Sequence, residues 1–164
     1  MSVFHSTQCE PTCVDVWNVL EELPHRVEEL LKRHESSREL GFEAFEQELH
    51  ALFTHAECAA TREALERHDV DLPHVFIDAE KHHRAYRGEK TYLCAVGPVT
   101  AMRTLYRARA GERAVAAMER RVGIVEGYWT PLAARQGAML VSHLTPRDAE
   151  EVLATLGVGS RIVS

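Results

Sequence analysis

The hydrophobic period of the chain changes near its middle. Up to His68–Pro73 the apolar residues recur at helical spacing, and beyond it they alternate with polar ones at the spacing of strands. Helices followed by strands read as an α+β protein. The pattern divides the chain into three stretches: an acidic helical region over 1–70, an antiparallel β-meander over 71–110, and a second helical region over 111–164.

In the first stretch Val16, Val19, Leu20 and Leu23 share helical spacing, Pro24 interrupts, and Val27, Leu30 and Leu31 continue the stripe. Two short segments or one kinked helix satisfy this pattern. Glu35-Ser36-Ser37-Arg38 reads as a hinge. After Gly41 comes the clearest periodicity of the chain, Phe42, Phe45, Leu49, Leu52, Phe53, Ala56, Ala60 and Leu65. It predicts a helix of about seven turns with most of its glutamates off the apolar face. Such a stripe packs against its own domain or forms a homodimer seam over residues 42–65.

The strand candidates are His74–Asp78, His82–Arg87, Thr91–Val96 and Val99–Tyr106, separated by Ala79-Glu80, Gly88-Glu89 and Gly97-Pro98. In the last of them Val99, Ala101, Arg103, Leu105 and Arg107 point one way, and Thr100, Met102, Thr104 and Tyr106 the other. Arg109 joins Arg103 and Arg107 if the strand continues. Thr130-Pro131 then opens a helix that reaches His143, and Thr145-Pro146 opens another that Gly157 ends. Two helices so closely joined resemble the start of a helix-turn-helix, without its third helix.

Charge follows the same division. Residues 1–80 carry 6 basic against 18 acidic side chains, net −12, whereas residues 81–164 carry 13 against 7, net +6. The overall −6 conceals a basic half suited to an anionic partner. No run of apolar residues is long enough to span a bilayer, so no membrane association is expected. Residues 1–12 lack the basic and apolar regions of a secretory signal, which predicts a cytoplasmic protein with reduced cysteines. His5, Cys9 and Cys13 recur every four residues, but Pro11 lies among them and no spacing supplies a fourth ligand; no metal or other cofactor is expected.

No phosphate-loop, dinucleotide-binding or Gly-x-Ser-x-Gly motif occurs. Cys94 alternates along a strand and reads as core. Asp78 closes the apolar run Val75-Phe76-Ile77, as the first catalytic Asp of a ribonuclease-H-like fold does. Asp148 is the only later Asp and sits in a helix's first turn, so Asp78 reads as a turn residue.

Several segments together carry a family resemblance: Phe42-Glu43-Ala44-Phe45-Glu46-Gln47-Glu48-Leu49, Gly97-Pro98-Val99-Thr100, Arg103-Thr104-Leu105-Tyr106-Arg107, Gly123-Ile124-Val125-Glu126-Gly127-Tyr128-Trp129-Thr130-Pro131 and His143-Leu144-Thr145-Pro146-Arg147-Asp148. Over roughly residues 40–157 the chain resembles the N-terminal part of bacterial insertion-sequence transposases of the ISKra type. In that family a helix-turn-helix region precedes a magnesium-dependent DDE catalytic domain. The three catalytic carboxylates have no positions here, so the resemblance implies binding of double-stranded DNA or assembly, and no enzymatic activity. Arg103, Arg107, Arg109, Arg113, Arg120, Arg121, Arg135 and Arg147 are the expected DNA contacts. The alternative is a protein-interaction module, dimeric or inhibitory, that acts through the acidic helix without binding DNA.

Overall fold

The computed structural model describes residues 15–36 and 41–155, with side chains through Val152. The protein is α+β: helices accompany a four-stranded antiparallel sheet. His5, Cys9, Cys13, Ser37 and Arg38 lie outside the described residues, as do Leu156 and Gly157 at the expected end of the last helix. Two compact units divide between Thr61 and Arg62.

The first unit is built on α1 (Val16–Ser36) and the greater part of α2 (Phe42–Arg67). Early α1 meets late α2, where Val16 and Val19 cluster with Ala56 and Ala59, and Leu23 packs alongside. Late α1 meets early α2: Arg33 binds Glu48 at 2.7 Å, and the His34 ring lies 4.8 Å from that of Phe45. The pair is therefore an antiparallel hairpin, and small alanines on α2 let the helices approach. Pro24 lies inside α1, which runs as one helix. Proline removes the hydrogen bond that the Leu20 carbonyl would accept, but Leu20 and Pro24 are exposed and water can serve that oxygen.

The second unit holds the last turn of α2 and a sheet in the order β1 (His74–Ile77), β2 (Glu80–Cys94), β3 (Gly97–Arg107) and β4 (Val115–Ala116). Asp78 and Ala79 adopt φ of 51° and 65°, which makes the β1–β2 connection a two-residue turn that follows the strand twist. The meander differs from expectation at Gly88-Glu89, which continues β2 instead of turning. Gly88 stands opposite Arg103, and a side chain there would meet the Tyr86 ring at 3.6 Å. That is ordinary van der Waals contact, so Gly88 meets no steric demand here and simply continues the ladder to β3. A bulge between Arg84 and Tyr86 shifts the register and turns the outer part of β2.

Short α3 (Ala117–Arg121) follows β4 directly. Residues 128–130 then return to the end of β2: the Leu93 N–H donates to the Tyr128 carbonyl at 2.8 Å, and the Thr130 N–H donates to the Leu93 carbonyl at 3.0 Å. Thr130 Oγ1 also turns to that carbonyl and does not cap the helix it precedes, α4 (Pro131–His143). Thr145 does cap α5 (Pro146–Thr155), accepting from the Asp148 N–H at 3.3 Å. Tyr92, Val99, Thr104, Tyr106 and Met118 form the fully buried centre of the unit. Each buried tyrosine ring contributes about 2 kcal/mol, provided its hydroxyl finds a partner.

Candidate nucleic-acid interface

The alternation of β3 is as expected and puts Arg103 and Arg107 on one face, and partial cover of that face by α3 separates the two by fate. Arg103 lies on the face covered by α3 and donates to Glu119; its side chain is only 15% exposed. Lys90 Nζ and Tyr92 Oη reach the same carboxylate oxygen, each at 2.9 Å. Two cations and a phenol thus converge on one half-buried carboxylate. Arg107 lies farther along the same face with its guanidinium 5.9 Å over the Tyr86 ring. Arg120 donates to Asp78.

Arg109, Arg113, Arg121, Arg135 and Arg147 are exposed, and none forms an ion pair among the described residues. Arg109 and Arg113 flank the turn after β3, Arg121 ends α3, Arg135 projects from α4, and Arg147 stands in the first turn of α5. Of the eight expected contacts, the fold leaves these five open to an anion and commits Arg103 to its own core.

Charge by unit sharpens the same point. Residues 62–80 add 2 cations and 6 carboxylates to the basic half, so the second unit carries net +2 and the first net −8. Two of the six added carboxylates hold the β3 backbone. Glu66 accepts the Met102 N–H at 2.9 Å, and Asp69 accepts the Thr104 N–H at 2.9 Å and its hydroxyl at 2.8 Å. These carboxylates occupy the side of β3 that β4 does not reach. They block an otherwise open strand edge.

Cys94 and Asp78 both hold structural positions, one in the core and one in a turn. Cys94 is 4% exposed, and burial pushes its thiol up to about 11, which leaves it a packed neutral group at neutral pH. Asp78 occupies its hairpin turn. Burial first, then the hydrogen bond to Glu119 and its charge, raises the Tyr92 phenol far above its ordinary value. Above about pH 10 an unfolded chain releases that proton while the folded one keeps it, so the second unit is expected to lose stability as pH rises. Denaturant titrations at neutral and alkaline pH check this, and an unchanged midpoint would contradict it.

Sequence reading missed one surface. His74, Phe76, Lys81, His83 and Tyr86 share the open face of the β1–β2 ribbon with Arg107, as the ladder register requires. The signal was available in the alternation of His74 with Phe76 and of Lys81 with His83, which reads as scattered surface until the two strands are paired.

The molecule is thus a two-unit α+β protein, with an acidic helical hairpin and a sheet unit that displays unpaired arginines. Comparison of the chain with protein-family models, with curated proteins and with solved structures finds no match. Among the described residues no helix is long and apolar enough to cross a membrane.

Proposed function

We propose that the chain is a non-catalytic, transposase-derived domain that binds double-stranded DNA through its second unit. The observation that carries this reading is the set of five exposed arginines without carboxylate partners among the described residues, Arg109, Arg113, Arg121, Arg135 and Arg147. Guanidinium groups left free in this way suit bidentate phosphate contacts. The α4–α5 pair supports it further. Only Leu144 and Thr145 separate the two helices, and each helix contributes one of the arginines. Arg147 also lies at a helix N-terminus, whose N–H groups favour the same anion.

Duplex binding followed by anisotropy across a salt series tests the reading. If all five arginines meet phosphates, log affinity is expected to fall against log salt with a slope near −4.5, about 0.9 per contact. Replacing Arg135 and Arg147 with Ala should reduce that slope by about 2. Absence of binding at about 50 mM salt, together with a stable dimer in sedimentation, would overturn the DNA reading and favour protein interaction through the acidic hairpin.

A further inference from the structure

The β1–β2 ribbon has one covered face and one open one. Ile77 is buried and Val75 half-buried on the first, whereas Phe76 on the other is 69% exposed, an unusual exposure for a phenylalanine in a strand. The neighbours of Phe76 explain what it suits. The His74 ring lies edge-on at 6.0 Å, His83 stands directly opposite His74, and Arg107 stands directly opposite His83. Arg107 in turn lies over the Tyr86 ring, which is 49% exposed. Lys81 stands opposite Phe76.

Five planar groups therefore run in a continuous row across three strands, with an ammonium beside one end. The alternating positions that share this face include no carboxylate. From this row we infer that the open face of the ribbon binds single-stranded nucleic acid, with unpaired bases stacking on Phe76 and Tyr86 and the backbone held by Lys81 and Arg107. Aromatic faces interleaved with cations are the chemistry that recognises unpaired bases, because every base offers a π-face and every linkage a negative charge. Paired bases are already stacked on one another and offer no such face, which separates this surface from a duplex site. The row also involves none of the five arginines of the duplex reading, so either can stand without the other.

Anisotropy of a labelled oligothymidylate of about 12 residues at low salt tests it with the full chain. Phe76→Ala and Tyr86→Ala should each weaken binding about tenfold, and Phe76→Trp, which restores a stacking surface, should bind as the parent does. Phe76 is exposed and its removal leaves no buried cavity; equal thermal midpoints for parent and variants establish that the fold is kept. Failure of the parent to bind oligothymidylate overturns the proposal. So does unchanged binding by Phe76→Ala, which would leave only charge attraction, or full competition by an equal concentration of duplex. Duplex binding that is insensitive to both aromatic substitutions, alongside no oligothymidylate binding, removes this site and leaves the duplex reading intact. Oligothymidylate binding without duplex binding does the reverse.

Discussion

Glu119→Ala is expected to destabilise the second unit by about 3 kcal/mol. The carboxylate is the common acceptor for Lys90, Tyr92 and Arg103, and all three reach its Oε1. Side-chain exposures of 15% for Arg103 and 19% for Glu119 leave water little access to either partner. Removing Glu119 strands a guanidinium whose Nε already has no partner, a neighbouring ammonium, and the hydroxyl of a fully buried tyrosine. Breaking a buried pair from one side costs far more than the pair itself contributes, because the remaining charge stays desolvated. Urea unfolding measures the effect. An unchanged midpoint would mean that the three donors find water without unfolding. Replacing Arg103 and Glu119 together, by Met and Leu, should cost less than Glu119→Ala alone, since neither charge then remains buried.

Asp69→Ala should cost about 3 kcal/mol by a different route. The aspartate side chain is 6% exposed and satisfies both the backbone N–H and the hydroxyl of Thr104, a residue with no exposure at all. Alanine leaves two buried donors without acceptors, each a desolvation cost of about 1–3 kcal/mol. It also reopens part of the β3 edge, so aggregation under mild heating should increase along with the loss of stability. Amide exchange at Thr104 gives the local measurement. Protection equal to that of the parent would show that another group accepts this N–H.

The carboxylates at the β3 edge also show where sequence reasoning stopped. The change of period at residues 68–73 was plain, and α2, the faces of β3 and the starts of α4 and α5 follow from spacing and from the Thr-Pro pairs. Local rules apply there because each side chain's partner lies three or four residues away or on the neighbouring pleat. The roles of Glu66 and Asp69 have no local signal, since their partners Met102 and Thr104 lie 36 and 35 residues further along. Gly88-Glu89 reads as a turn because glycine's tolerance of bends is local, whereas what keeps both residues in β2 is their pairing with Arg103 and Met102 on the next strand.

The eight arginines make the same distinction within one residue type. A guanidinium in a strand sequence has one alternation and one charge wherever it stands, so Arg103 and Arg107 read alike. Only when α3 covers part of their shared face does Arg103 become a core residue held by Glu119, while Arg107 stays beside Tyr86 on the open ribbon.

Period, capping and charge along the chain determined by themselves that this is an α+β protein with an acidic helical start and an arginine-rich continuation. Tertiary structure alone decided which arginines remain free, which carboxylates guard the β3 edge, and that His74, Phe76, His83, Arg107 and Tyr86 form one row. The physical reason is range. Secondary structure follows from neighbours a few residues apart, whereas burial and charge pairing depend on which distant segments meet, and the same side chain takes opposite roles on a covered and an open face.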